Sequence, residues 1–261
     1  MVVITSDQRD VIFEAVRAMY TDVARRPEQE YHFPTGRRAG EYVGYPPEQL
    51  DRLPPAALES FAGVGYPFAA NAIREGDVVL DIGSGSGTDL LLAAMLAGPA
   101  GRAIGLDMTR AMREKCMENA KDAGLDNVEL VEGNAEQLPL PDASVDVVTS
   151  NGVINLIPDK TSTVAEIFRV LRPGGRVQIA DVVVRDIPSD DCRSKPQLWA
   201  ECIVGATTES DYLDKFRAAG FDDVARLSEL DYFAASTSEE TRDTAAGFGA
   251  HSIVMRAVKP S

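Results

Sequence analysis

The stretch Val78-Val79-Leu80-Asp81-Ile82-Gly83-Ser84-Gly85-Ser86-Gly87, continued by Thr88 and the apolar run Leu90 to Ala97, decides how this chain is read. Val78 to Ile82 reads as a buried parallel strand, because a strand covered by helices on both faces is apolar throughout instead of alternating. The glycines let the backbone turn sharply and pass close to a ligand, since they carry no Cβ. The helix expected next aims its unpaired N–H groups back at that turn. Two ligand chemistries compete for such a turn. A pyrophosphate cradle carries its glycines as G-x-G-x-x-G. Here the third glycine, Gly87, comes one residue early, and Asp81 stands two residues before the first. A carboxylate repels a pyrophosphate and attracts a cation, so the turn favours a cationic ligand over a nicotinamide dinucleotide.

Moving outward toward the C-terminus, strand and helix patterns alternate. Arg102 to Asp107 is a second strand ending in a carboxylate, and Asp107 lies 20 residues after Gly87. At that distance its two oxygens can accept both hydroxyl protons of a ribose; the competing reading is an acid that helps to start the next helix. That helix runs from about Thr109, a plausible N-cap, to Ala123 before Gly124. Val128–Glu132 and Ser144–Ser150 read as the third and fourth strands, Thr161–Leu171 as a helix, and Gly175–Val183 as the fifth strand. Strands alternating with helices imply a parallel sheet with right-handed crossovers. Residues 185–207 interrupt the alternation, with a turn at Pro188-Ser189-Asp190-Asp191 and a short helix expected over Gln197–Ala206. An amphipathic helix over Glu209–Ala219 follows. Residues 222–235 and 250–257 read as the last two strands, flanking a polar piece, Thr237–Arg242, with helical character.

Toward the N-terminus the pattern changes. Residues 8–25 place Val11, Ile12, Ala15, Val16, Met19 and Val23 on one helical face. Residues 27–67 hold seven prolines together with Tyr31, Phe33, Tyr42, Tyr45, Phe61 and Tyr66. Prolines at this density break regular elements, and the aromatic residues argue against disorder. Residues 1–76 are therefore expected to form a cap or lid, with short helices near Pro46–Arg52 and Pro67–Ala72. Residues 77–261 form the ligand-binding domain, with 185–207 inserted on its substrate side.

The chain has 261 residues, 44% hydrophobic and 26% charged, with a formal net charge of −15. This is the composition of an ordinary globular protein. Its charge repels phosphate backbones, and no basic patch offsets it, so nucleic-acid partners are not expected. Cys116, Cys192 and Cys202 make neither a disulfide framework nor a structural zinc site, and no metal is expected. The N-terminus lacks the basic and apolar regions of a signal peptide, and no apolar run is long enough for a bilayer. A cytoplasmic location without membrane attachment is the expectation; nothing in the sequence fixes the oligomeric state.

The acidic-x-Gly-x-Gly-x-Gly turn resembles the first motif of the class I S-adenosylmethionine-dependent methyltransferases. Later segments match the same family in order. These are Glu132-Gly133-Asn134-Ala135-Glu136-Gln137-Leu138-Pro139, Asp142 to Val148 followed by Asn151, and Leu171-Arg172-Pro173-Gly174-Gly175. The resemblance implies a Rossmann-like α/β fold with a seven-stranded, mostly parallel sheet and a helical N-terminal cap. It implies S-adenosylmethionine as cofactor and S-adenosylhomocysteine as product. It assigns Asp81, Gly83, Ser84, Gly85, Gly87, Asp107, Met108, Asn134, Ala135 and Asn151 to the cofactor. Most relatives carry an acid where this chain has Asn134, and an amide oxygen can still accept from an adenine amine.

A narrower resemblance covers nearly the whole chain. Gly63-Val64-Gly65-Tyr66-Pro67, Asn151 to Lys160 and Leu198 to Ala206 are similar to segments of arsenite methyltransferases, which hold trivalent arsenic on one thiolate from each. Here only Cys202 remains, because Val64 and Gly152 occupy the other two positions. The cysteine pair such enzymes often carry near the N-terminus is replaced by the region Gln29 to Phe33. One thiolate does not chelate a soft three-coordinate centre, so the expected acceptor is a small molecule other than arsenite. A thiol or another soft nucleophile ranks first and a metabolite hydroxyl second. The competing function is a non-catalytic module that senses or scaffolds through the cofactor pocket. His32, in the aromatic cap, and Cys202 are the candidates for a catalytic role; a structural histidine and a small buried hydrophobe are the competing readings.

Overall fold

A computed structural model describes residues 5–188, 199 and 203–261. Among them, seven strands form one sheet in the order β3-β2-β1-β4-β5-β7-β6. The strands are β1 (Val78–Ile82), β2 (Arg102–Asp107), β3 (Val128–Glu132), β4 (Val145–Asn151), β5 (Leu171–Val183), β6 (Asp222–Leu230) and β7 (His251–Val258). The first five are parallel, and β7 runs antiparallel to both β5 and β6. The sheet is thus mostly parallel, as expected. The chain winds outward from β1 in one direction through β2 and β3, then returns to place β4 on β1's other side. Ligands in open sheets bind outside the carboxyl ends of the strands at such a reversal. Ile82, Asp107 and Asn151 close β1, β2 and β4 at that edge.

Helices α5 (Thr88–Ala97), α6 (Arg110–Asp122), α7 (Lys160–Val170), α8 (Glu209–Ala218) and α9 (Glu239–Phe248) fill the crossovers and the C-terminal part. Their starts obey local chemistry: Asp159, Thr208 and Ser238 each accept a backbone N–H of the following turn, pairing donors that a helix start leaves open. Thr109 occupies the N-cap position of α6 but makes no side-chain cap; Asp107 Oδ1 instead accepts the Thr109 N–H at 2.7 Å. Of the polar piece Thr237–Arg242, Ser238 is the N-cap and Glu239–Arg242 the first turn of α9, which ends at Gly249 in the left-handed conformation. Two strand boundaries differ from expectation by more than a residue. Strand β5 begins at Leu171, because Leu171 pairs with Val145 before the register shifts around the Gly174–Gly175 turn. Strand β6 ends at Leu230, and Tyr232–Ala235 coil into a 3-10 turn whose Ala234 N–H is held by Asp231.

The cap consists of α1 (Ser6–Arg25), α2 (Gly36–Tyr42), α3 (Pro47–Leu50), α4 (Pro55–Glu59) and a 3-10 turn over Pro67–Ala70. Helix α1 opens on a capping box in which Thr5 and Gln8 satisfy each other's backbone donors. Its buried face is Ile12, Val16 and Val23, whereas Val11 is exposed. Helices α2 and α4 were not legible among the prolines and glycines. The cap is not a separate lobe: Tyr45, Leu50, Phe61 and Phe68 share one hydrophobic core with Val79, Val147, Ala180 and Val182, which face it from β1, β4 and β5. The opposite face, with Leu80, Ile104, Val148 and Ile179, packs on α7 and α8. No helix of the described residues is long and apolar enough to cross a membrane.

Candidate functional site

A cleft lies at the carboxyl edge of β1, β2 and β4. Its floor is the glycine-rich turn. Gly83 sits at φ +74°, and a Cβ there would overlap Val153 of the loop after β4. Gly85 donates its N–H to Asp107 Oδ2 at 2.9 Å, so the carboxylate at the end of β2 fastens the turn. Asp107 thereby fills both roles of a helix-starting acid and a wall of the cleft. Of the residues assigned to a cofactor from sequence, Asp81, Gly83, Ser84, Gly85, Asp107, Met108, Asn134, Ala135 and Asn151 all line this one cleft. Gly87 is not among its lining; at φ +103° it starts α5, and a Cβ there would approach Cys116 Sγ at 2.8 Å. Its glycine serves helix packing. Cys116 is buried against it, with its thiol pushed up by burial.

The charge of the cleft is one-sided. Asp81, Asp89 and Asp107 line it, and its described lining contains no lysine, arginine or histidine. Burial, then Asp89 and Asp107, push Asp81 well above the ordinary carboxylate range. Burial likewise raises Asp107 and pushes Asp89 up to about 6. In the lining of the cleft, two buried polar atoms have no hydrogen-bond partner among the described residues, Asp81 Oδ2 and Ser84 Oγ. Unpaired buried acceptors are costly, and a ligand carrying positive charge and hydroxyl or ammonium donors would relieve them. S-adenosylmethionine has that chemistry, so this set of residues fits it.

Two of these lining side chains also bond within the protein. The Asn134 amide oxygen accepts the Glu136 N–H at 2.9 Å, closing a local turn. Glu136, buried and paired with Arg9 of α1, also accepts the Asp159 N–H. The Asn151 amide is fully used by the protein. Its Oδ1 accepts Val64 N at 2.7 Å and Gly65 N at 3.3 Å, and its Nδ2 donates to Gly65 O, Tyr45 Oη and Asp89 Oδ2 at 2.9 to 3.0 Å. Its side chain therefore fastens the cap to β4.

The second half of the cleft is apolar. Phe13, Val16 and Tyr20 reach it from α1, Phe61 and Ala62 from the cap, and Val153, Leu156 and Ile157 from the loop after β4. Residues 8–25 are a helix, as expected, within the cap; Phe13 and Tyr20 flank Val16 on it, and nothing in their spacing says what they meet. Tyr45 and Asp89 were also missed. Val64 and Gly152 meet, as a Cβ on Gly152 would stand 3.1 Å from Val64 Cγ1, and the space between them is filled by the valine. His32 is not in the cleft lining. Its ring meets Phe33 edge-on at 4.7 Å, its carbonyl accepts Ser236 Oγ, and Phe33 stacks on Tyr20, so a ring separates it from the cleft. Cys202 lies outside the described residues, as does half of the helix expected over Gln197–Ala206; its described end, residues 203–206, is a bend and turn and not helix.

A profile of the methyltransferase domain matches residues 73–220. An arsenite methyltransferase of Halobacterium salinarum is 40% identical over 190 residues, covering 73% of this chain and 48% of that protein. The crystal structure of an arsenic(III) S-adenosylmethionine methyltransferase from Chlamydomonas reinhardtii superposes with a TM-score of 0.63 at 32% identity, covering 87% of this chain and 75% of that one. At 19% identity, Haemonchus contortus phosphoethanolamine N-methyltransferase 2, solved with S-adenosylmethionine, shares the fold over 77% of this chain and 54% of its own, with a TM-score of 0.61. The chain spans about half the length of the curated relatives it matches. Sheet order, acidic cleft and matched span agree, and the chain belongs to the class I S-adenosylmethionine-dependent methyltransferases as a relative of the arsenite methyltransferases.

Proposed function

We propose that this chain transfers the methyl group of S-adenosylmethionine to an uncharged small molecule through a soft nucleophile, a thiol before a hydroxyl, and that arsenite is not its acceptor. When bound, the cofactor supplies a methyl already activated by a sulfonium. Asp81 and Ser84 receive its ammonium and donor groups, and Asp107 keeps lone pairs for the ribose beside those given to Gly85 and Thr109. The observation that carries the reading is the division of the cleft: three aspartates on the cofactor side, an apolar wall facing them. An acceptor bearing phosphate or carboxylate would meet no cation among the described lining residues, and desolvating it would be costly. A soft nucleophile needs alignment and exclusion of water more than a base, which agrees with His32 standing outside the cleft. The filled Val64–Gly152 contact supports the exclusion of arsenite.

The test is calorimetry followed by an acceptor screen. Wild type is expected to bind S-adenosylhomocysteine, and Asp107→Ala to lose about tenfold or more in affinity, the scale of one or two charge-assisted hydrogen bonds. Tighter binding of NADH than of either sulfur cofactor overturns the cofactor. Homocysteine-cofactor release with thiols but not with arsenite supports the acceptor class; methylated arsenic from the purified protein refutes it.

A further inference from the structure

Tyr45, Asp89 and Asn151 come from three separate segments and form one closed hydrogen-bonded cluster. Tyr45 Oη donates to Asp89 Oδ1. Asn151 Nδ2 lies 3.0 Å from both Asp89 Oδ2 and Tyr45 Oη. The same carboxamide accepts the N–H groups of Val64 and Gly65 and donates to the Gly65 carbonyl. The surrounding glycines show how closely the cap is seated. A Cβ on Gly63 would stand 2.5 Å from Asn151 Nδ2, and one on Gly65 would stand 2.7 Å from the Ala180 Cβ of β5. The ring of Tyr45 is wedged among Phe61, Tyr66 and Phe68.

This cluster has two faces. Asp89 and Asn151 line the cleft, and so do Ser60, Phe61, Ala62 and Gly63, the residues immediately before the held pair Val64–Gly65. The carboxylate that a cationic ligand would attract is therefore the acceptor on which the cap's tyrosine closes. We propose that Tyr45, Asp89 and Asn151 are positioning residues that latch the cap onto the cofactor side of the cleft, so that occupancy by the cofactor sets the position of the wall at residues 60–63. This rests on the cofactor reading above. A cation beside Asp89 keeps it ionised, and an ionised carboxylate accepts from both Tyr45 and Asn151. Asn151 is then held with its oxygen toward the cap backbone. With no cation there, the same buried charge is poorly compensated, and the latch is weaker. Cofactor and cap thus bias one equilibrium, and each favours the other.

The experiment is amide hydrogen exchange of full-length protein with and without saturating S-adenosylhomocysteine, with affinity measured in parallel by calorimetry. In wild type, the ligand is expected to slow exchange at residues 60–67 by about tenfold or more, a shift in local opening. Tyr45→Phe keeps the ring packing and removes only the hydroxyl. It is expected to bind within about threefold of wild type while the slowing falls below about twofold. Asp89→Asn keeps the shape, removes the charge, and is expected to lose the slowing as well. A residue with a merely structural role would raise exchange equally with and without ligand. Wild-type slowing in both variants overturns the latch, as does a wild type that binds the ligand with no change at 60–67. A wild type that binds neither sulfur cofactor overturns the cofactor reading, and the latch with it.

Discussion

Asp89 and Asp181 are both buried aspartates that accept a tyrosine hydroxyl, from Tyr45 and Tyr212 respectively. Burial pushes each up to about 6, against the pull of those hydrogen bonds. Their surroundings differ. Asp181 lies inside β5, opposite Ile253 of β7, and its oxygens also accept the backbone N–H groups of Asn155 and Val182 at 3.0 and 2.8 Å. Lys160 stands near it, donating to the carbonyls of Asn155 and Ile157 and lying 5.4 Å from the Trp199 ring. Asp89 takes side-chain donors from two distant segments and faces the cleft. One carboxylate is held by donors from β5, the turn after β4 and α8. The other is held by one donor from the cap and one from the end of β4, and lines the cleft. The same shift in acidity therefore marks a structural group in one place and a ligand-facing group in the other, and only the partners tell them apart.

Truncation should separate them most. Asp181→Ala strips the acceptor from one buried tyrosine and two buried N–H groups, each worth about 1–3 kcal/mol when unpaired. Urea unfolding is expected to show a loss of roughly 3–5 kcal/mol. Asp89→Ala should cost less, about 2 kcal/mol, because the Asn151 amide keeps the Gly65 carbonyl as acceptor. Equal losses would erase the distinction.

Acidity gives the next effect. The folded Asp181 is raised from an ordinary 3.8 to about 6, so the folded state binds the proton more tightly than the unfolded chain. Its contribution to stability is full below the unfolded value and is lost as pH rises through about 6. Comparison of wild type with Asp181→Asn by urea titration from pH 4 to 7 should show wild type losing ground as pH rises, by up to roughly 3 kcal/mol. A difference independent of pH would mean that Asp181 is not raised.

Ligand binding reverses the ranking. Asp89→Asn should weaken S-adenosylmethionine by about tenfold, and Asp181→Asn by less than about twofold, in calorimetry near neutral pH. For wild type, affinity should rise between pH 5 and 7 as Asp89 ionises, because the cation favours the charged carboxylate. An Asp181 variant that loses affinity as strongly would show that the two networks are coupled through the Val153–Ile157 loop. The smallest effect is expected from Val64→Ala, which opens a space of about two methyl groups beside Gly152 and should cost about 1 kcal/mol with the cofactor affinity unchanged. A large drop in that affinity would place residue 64 on the cofactor side of the cleft.

The sequence by itself determined the sheet, the turn and the family. Apolar runs of strand length, helical periodicity and the glycine spacing at 83, 85 and 87 are local signals, each written within a dozen residues. They locate β1 to β4 to within a residue and bring nine of the ten cofactor candidates to one cleft. The absence of thiols at 64 and 152 was equally legible. What tertiary structure decided was the use of side chains whose partners are far away in the chain. Tyr45 and Asp89 are 44 positions apart, and Asn151 and Val64 are 87. No periodicity links such pairs, so Tyr45 read as one aromatic among many, and Asp89 was lost in the apolar run of α5. Asn151 read as a cofactor contact because its strand end points there. Its amide proved to be occupied by the cap, since a buried amide takes whatever donors and acceptors the fold brings within reach.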